Sequence, residues 1–295
     1  MSSVIRVRAF AKINLSLRVL GTRADGYHEL RTLFQSIALH DTLVVRRTRA
    51  PFALTCSDRA LACDWSNLVH RAAEALWRSA RRRGDPRGAS VHLVKRIPVQ
   101  AGLGGGSSDA AAALRALGRL WRVDDQCVRE AAVRLGADVP FFLEGGTVLG
   151  LERGDVLFPL VDRPRVWVVL VVPPFGVSTP DAYRWWDRYV RDTGRSRTRD
   201  VPAMYPARTR HVPEAQNDLQ APVVARHPDI GRIVRALTRA GASCAAMSGS
   251  GSAVFGLFPT RTAAADAARA LGSRLGRTVL TRTLSRGEYR RLAAN

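Results

Sequence analysis

The sequence predicts an α+β protein of two domains, a β-rich one over residues 1–160 and a split-βαβ, ferredoxin-like one over 161–295. Three observations carry that prediction. Over residues 4–20, Ile5, Val7, Ala9, Ala11, Ile13, Leu15, Leu17 and Val19 alternate with Arg6, Arg8, Lys12, Asn14, Ser16 and Arg18, the period of a strand or strand pair with one buried face. A strand-like ASVHLVKRIP runs into the glycine-rich QAGLGGGSS and then into an alanine-rich helical stretch. After Pro159 the order changes to strand, helices, two strands, helix and strand. At 295 residues the chain suits two cores better than one.

The alternation on the first strand puts Lys12 and Asn14 on its non-core face. Asp25-Gly26 marks a turn, after which LRTLFQSIALHDTLVVRR resumes extended structure. Residues 66–84 carry apolar side chains at helical spacing, with Ser66 or Asn67 as cap and Gly84 as stop. The glycine loop opens a helix from about Ser107 to Leu120, followed by a helix at 124–135, the loop LGADVPFFLEGG and the strand TVLGLE. In the second half the pattern reads strand 166–172, helix 180–193 and an Arg- and Pro-rich loop at 194–213. Helices near 217–226 and 228–240, the extended GASCAAM, the loop SGSGS, the strand AVFGLF, a helix at 260–274 and the strand TVLTRTL complete it.

Composition excludes several classes of function. Hydrophobic content of 46% and 24% charged residues describe a soluble globular protein. The N-terminus shows no signal peptide, and Val166–Val172 is too short to span a bilayer. The cysteines at 56, 63, 127 and 244 form no CxxC pair and read as free thiols of a cytoplasmic enzyme. The net charge of +21 invites a nucleic-acid partner, but the basic residues are spread along the chain with few aromatics between them. Of 46 basic residues all but Lys12 and Lys95 are arginine, as a bias in codon usage would produce. The preferred reading is a solvated basic surface that steers an anionic small molecule, with no nucleic acid and no membrane as partner.

Glycine inside a helix or strand costs about 0.5–1 kcal/mol relative to alanine, so Gly102, Gly104, Gly105 and Gly106 call for a sharp turn or a close ligand. A Walker A loop would need Gly-Lys-Ser/Thr, and a strict dinucleotide fingerprint from Gly102 would need glycine at 107, which is serine. The physics common to both remains: small residues let backbone amides converge on an anion, and the following helix adds its positive end. Ser107 and Ser108 could add hydroxyl donors or a magnesium ligand, or one of them could simply cap the helix.

IPVQAGLGGGSSDAAAAL resembles the second motif of the GHMP kinases, a superfamily of small-molecule kinases. AFAKINLSLRVLGTRADGYHEL resembles the first motif, and MSGSGSAVFGLF the third. GYHELRTLFQSI and LGADVPFFLEGG resemble the branch that phosphorylates the 2-hydroxyl of 4-diphosphocytidyl-2-C-methyl-D-erythritol in the non-mevalonate isoprenoid pathway. Similarity covers nearly the whole chain. Phe10 stands where the family usually has proline or a small residue, and the 194–213 loop matches no family pattern. The resemblance implies the two-domain GHMP kinase fold, ATP and Mg²⁺ as cofactors, and a monomer or homodimer. The rival functions are another GHMP kinase, acting on mevalonate, phosphomevalonate, homoserine or a sugar, and a basic nucleic-acid-binding module.

By the same resemblance Asp138 is the general base, although residue chemistry alone also allows it to cap the short VPFFLEG segment. Lys12 would orient Asp138 or stabilise the transferring phosphoryl group. Its type supports this, because a compact ammonium reaches where a guanidinium fork does not fit. Nucleotide contacts fall on Asn67, Leu68, Lys95, Ala101, Gly102, Leu103, Gly104, Gly105, Gly106, Ser107 and Ser108. Asn67 could instead cap its helix, and Lys95 could be a surface lysine. Asn14, Tyr27, His28, Thr179, Pro180 and Tyr183 would hold the diphosphocytidyl substrate, with His28 on the cytosine edge and Tyr27 or Tyr183 stacked on the ring. Ser248, Gly249, Ser250 and Gly251 would line the cleft between the domains, or form a tight hairpin.

Overall fold

The alternating N-terminal segment forms one long strand, β1 (Val4–Thr22), paired antiparallel along its whole length with β2 (His28–Pro51). The computed structural model describes residues 4–194 and 215–294, so the loop read at 194–213 lies, apart from Gly194, outside the described residues. Next come β3 (Ala53–Cys56), α1 (Leu68–Ser79), β4 (Arg87–Val94), α2 (Gly105–Trp121), α3 (Asp125–Leu135), α4 (Phe141–Glu144), β5 (Thr147–Glu152) and β6 (Val156–Pro159). The Asp25-Gly26 turn is closed by the Asp25 carboxylate, which accepts from the Tyr27 amide at 3.1 Å. Helix α1 is capped by Asn67, whose side chain accepts from the Val69 amide at 2.9 Å. The apolar faces of α1, α2 and α3 pack on one side of the sheet, around Val7, Ala9, Leu43 and Val91.

β1 does not keep one face to the core. Its pairing with β2 slips between Phe10 and Lys12, where the extra residues (37–39) are on β2, and again between Asn14 and Ser16, where the extra residue, Leu15, is on β1; such irregularities re-aim side chains. Before the first slip, Val7 and Ala9 meet the helices. Beyond it, Ala11, Ile13 and Leu15 pack instead against the C-terminal sheet, with Val168, Leu170 and Phe255. Lys12, Asn14 and Ser16 turn inward, at 5%, 3% and 7% exposure. The face expected to be free of the core is therefore buried, with Lys12 and Asn14 enclosed by Thr32, Phe34, Gly104, Asp138 and Gly249.

That second half runs β7 (Trp167–Val172), α5 (Thr179–Thr193), β8 (Gln216–Asn217), α6 (Gln220–Arg226), α7 (Pro228–Arg239), β9 (Cys244–Met247), β10 (Val254–Phe258), α8 (Arg261–Leu271), β11 (Arg277–Arg282) and α9 (Arg286–Ala293). Its sheet has the order β11-β7-β10-β9 with antiparallel neighbours, the split-βαβ arrangement that the sequence predicts. β7 and β10 are buried on both faces, which explains the unbroken apolar run WVVLVV. Short or distant elements escape the sequence pattern, the strands β3 and β6 among them. α4 is a single turn, β8 is two residues paired parallel with β1, and α9 returns to the N-terminal sheet. There Tyr289 packs on Phe10 and donates its hydroxyl to the Phe142 carbonyl at 2.7 Å. A large Phe10 in place of a smaller residue thus has a pocket of its own, shared with Leu284 and Ala293.

Candidate active site

A cleft of about 1300 Å³ lies where the two sheets meet. Lys12, just past the first slip of the β1–β2 pairing, points into it, and the Lys12 amide donates to the Leu103 carbonyl at 3.0 Å, fastening the glycine loop to the strand. The Lys12 ammonium donates to Asn14 Oδ1 at 2.6 Å and stands 3.6 Å from Asp138 Oδ2. Asn14 in turn donates to Thr32 Oγ1, and Thr32 to the Ser16 carbonyl. This chain fixes the lysine from behind. Burial lowers the Lys12 pKa, the Asp138 charge opposing it. Asp138 enters from the α3–α4 connection and keeps about a third of its side chain exposed toward the cleft.

Above this pair sits the glycine loop. Gly104 is the N-cap of α2 in the left-handed conformation and offers no side-chain cap, which leaves first-turn amides for an anion. Gly105, Gly106 and Ser107 line the cleft beside it. Part of the demand for glycine comes from the protein itself. A Cβ on Gly102 would stand 2.0 Å from the Ser248 carbonyl, and one on Gly104 would stand 2.6 Å from the Phe142 ring. Gly102 is thus bare because the SGSGS loop presses on it, and Gly104 because α4 does. The two glycine loops are bonded together: Ser248 Oγ donates to the Gly102 carbonyl, and the Ala253 amide to the Ala101 carbonyl.

Several expected contacts are corrected. Ser108 is 1% exposed and donates to the Phe10 carbonyl at 2.7 Å, so it is neither helix cap nor magnesium ligand. Ser248 is fully buried between the loops and Gly251 backs onto Met247, so neither lines the cleft, whereas Gly249 and Ser250 do. The SGSGS segment joins the antiparallel β9 and β10, as the hairpin alternative expects, and Asn217 also donates to the Met247 carbonyl before it and the Gly249 carbonyl within it. Lys95 borders the cleft, as expected, and is not a surface lysine. Its ammonium is enclosed by Asp41 and Asp109, 2.8 Å from Asp109 Oδ2, and side-chain exposures in the trio are 7%, 0% and 4%. Asp41 also accepts from the Arg96 and Ile97 amides, and Asp109 Oδ1 is buried with no hydrogen-bond partner among the described residues. Ala101 and Leu103, at 2% and 1% exposure, offer the cleft little beyond backbone.

At the other end Asn14, Tyr27, His28, Thr179, Pro180 and Tyr183 all line the cleft, as do Asn67 and Leu68. Asn67 does both things the sequence allowed: its oxygen caps α1, its amide donates to the Ala62 carbonyl, and it still borders the cavity. His28 stacks on Tyr183 with ring centres 4.7 Å apart, and its Nε2 lies 2.8 Å from Asp187 Oδ1. Burial, reinforced by the Asp138 charge, raises the Tyr183 pKa and keeps its hydroxyl protonated. Tyr27 is 58% exposed, with the Arg153 guanidinium 5.3 Å from its ring centre. Sequence reasoning misses Asp187, although it follows Tyr183 by one helical turn on α5 and so shares its face.

Family models match both halves of the chain, GHMP kinases N terminal domain over residues 67–146 and GHMP kinases C terminal over residues 210–277. The chain is 44% identical to a 4-diphosphocytidyl-2-C-methyl-D-erythritol kinase of Solibacter usitatus (strain Ellin6076), covering 97% of this chain and 90% of that one. It is 42% identical to the protein of that name in Moorella thermoacetica (strain ATCC 39073 / JCM 9320), over 95% and 99%. Among solved structures, a 4-(cytidine 5'-diphospho)-2C-methyl-D-erythritol kinase matches with a TM-score of 0.77 at 37% identity, over 96% of this chain and 99% of that one. A homoserine kinase from Cytophaga hutchinsonii shares the fold, with a TM-score of 0.65 at 19% identity, over 96% and 95%. The chain belongs to the GHMP kinase family, in the branch of the 4-diphosphocytidyl-2-C-methyl-D-erythritol kinases.

Proposed function

We propose that this protein transfers the terminal phosphoryl group of ATP to the 2-hydroxyl of 4-diphosphocytidyl-2-C-methyl-D-erythritol. The observation that carries the reading is the Lys12–Asp138 pair, 3.6 Å apart in the cleft that the glycine loop borders. Asp138 accepts the proton of the attacking hydroxyl, which becomes the nucleophile as the O–H bond breaks. Lys12, held by Asn14, faces the charge that spreads over the transferring phosphoryl oxygens. The first-turn amides of α2 hold the phosphate tail, and Asn67 and Leu68 border the space for the base.

The donor set suits a magnesium ion that rides on the nucleotide rather than one caged by the protein. Among the described residues no group of three or more His, Cys, Asp or Glu is arranged to hold a metal, while Ser107 borders the cleft with Ser108 turned away. Mg²⁺ keeps most of its water and needs one or two protein oxygens besides phosphates. Ser107 would hold it, and the ion would supply neutralisation of phosphate charge.

Tyr27 and His28 recognise the cytosine. Asp187 and Tyr183 fix the His28 ring, and stacking on a free aromatic face is worth about 1–3 kcal/mol per base. Because Tyr183 lends one face to His28, the stacking partner is Tyr27 or the other face of Tyr183. A cytoplasmic setting fits the free thiols of Cys56, Cys63, Cys127 and Cys244. Among the described residues no helix is long and apolar enough to cross a membrane. ADP release from a panel of diphosphocytidyl methylerythritol, mevalonate, phosphomevalonate, homoserine and a sugar tests the assignment. Turnover is expected with the first alone, and turnover confined to a substrate without cytidine would overturn it.

A further inference from the structure

A second pocket, of about 490 Å³, opens between α2, α4 and α9 and shares no lining residue with the cleft. Arg8, Arg115, Arg119, Arg122, Arg129 and Arg290 line it, against the carboxylates of Asp125 and Glu144. Arg290 pairs with Glu144, Arg129 donates to Gln126, and Arg115 donates to the Leu143 carbonyl. Arg8, Arg119 and Arg122 have neither an ion pair nor a side-chain hydrogen bond among the described residues. With 46 basic residues against 25 acidic ones, arginines without an ion pair are common on this chain, and what sets this pocket apart is that six of its arginines line one concavity. Gathering unpaired guanidiniums at one pocket opposes folding through like-charge repulsion unless an anion joins them. The floor is apolar, made by Val7, Ala112, Val128 and Phe142.

We infer that this pocket binds a diphosphate group, free or at the end of a small organic molecule. Guanidinium forks match phosphate oxygens two at a time, so several converging arginines suit two linked phosphates. The apolar floor would accommodate a short hydrocarbon. The position has a consequence for the cleft: Phe142 is held by Tyr289 on the pocket side, presses on Gly104 on the cleft side, and belongs to the turn that follows Asp138.

The test is calorimetric titration of the full-length protein, with the cleft saturated by a non-hydrolysable ATP analogue, using inorganic diphosphate and a short alkyl diphosphate as probes. Binding of one equivalent is expected with the cleft full, weakened about tenfold or more by combined Arg119→Gln and Arg122→Gln. Arg232→Gln with Arg269→Gln removes equal charge on α7 and α8 and should leave binding unchanged. Tighter binding of the alkyl probe would support an organic ligand, and equal affinities the bare anion. Loss of all binding in the presence of the ATP analogue would overturn the inference. So would equal weakening by the two pairs of substitutions, which would reduce the effect to overall charge. The readout is binding rather than turnover, so its failure and that of the kinase reading are distinguishable.

Discussion

The two lysines in this arginine-rich chain are both buried, yet their surroundings differ in kind. Lys95 is locked between Asp41 and Asp109, each nearly inaccessible, and Asp41 is further pinned by two backbone amides. Lys12 touches one neutral partner closely, Asn14, while its acid stands off at 3.6 Å and stays partly open to the cleft. A tight, closed trio resists change, and removing one partner strands a buried charge. A loose, half-open pair leaves room for a third party between lysine and acid. The contrast teaches that rarity of a residue type marks positions where an ammonium is needed, and that only the openness of the partner separates chemistry from construction.

The largest effect that would sharpen this contrast is on the loose pair. Asp138→Asn should lower kcat by about 10²–10⁴-fold while nucleotide affinity and thermal midpoint stay near the parent's, read by single-turnover kinetics and calorimetry. Lys95→Met should do the reverse. Stranding Asp41 beside Asp109 should cost about 3–5 kcal/mol in denaturant unfolding, with turnover per folded molecule far less affected. Equal kinetic damage by both substitutions would break the contrast.

Lys12→Arg comes next. Charge survives, but the fork does not fit the space between Asn14, Phe34 and Gly249, so kcat should fall by about tenfold or more with KM for ATP little changed. The Lys12 pKa is lowered by burial, so the alkaline fall in kcat of the parent enzyme should begin below the ordinary lysine value of 10.5. Lys12→Arg should lack that limb in a pH–rate profile, since a guanidinium does not titrate there.

The smallest effect concerns Asp109. Burial, partly offset by Lys95, raises its pKa well above 3.8. A carboxyl whose folded pKa exceeds its unfolded value contributes most at low pH, and the contribution is lost as pH rises through the folded pKa. Asp109→Asn removes that slope. The variant's thermal midpoint relative to the parent should therefore rise as pH increases from the ordinary carboxylate value of 3.8 through the raised folded value, and a difference that falls with pH would contradict the assignment.

Much of the fold was legible because strands and helices announce themselves by period, and because glycine loops between them are short and local. Helix α1 and its Asn67 cap, the strand before the glycine loop, and the antiparallel sheet after Pro159 follow from neighbouring residues, although α1 stops at Ser79, short of the expected Gly84. Long-range events are what escaped. Nothing local in KIN signals that the pairing with β2 slips there and that the polar side of β1 turns inward. Lys95 needs Asp41, 54 residues earlier, and His28 needs Asp187, 159 residues later. The glycine loop reads as bare for a sharp turn or a ligand, whereas Gly102 and Gly104 are bare first for Ser248 and Phe142. Helix α9 carries a capping box, Ser285 with Glu288, that the pattern SRGE could have revealed.

The account turns on Lys12 and Asp138 facing one reacting centre. Crystals of the protein with a non-hydrolysable ATP analogue and the diphosphocytidyl substrate test that most directly. The account expects the acceptor hydroxyl within hydrogen-bond distance of Asp138, and the terminal phosphate beside the Lys12 ammonium with its tail on the first turn of α2. A nucleotide seated with its phosphates away from Gly104–Ser107, or an acceptor hydroxyl out of reach of Asp138, would contradict it.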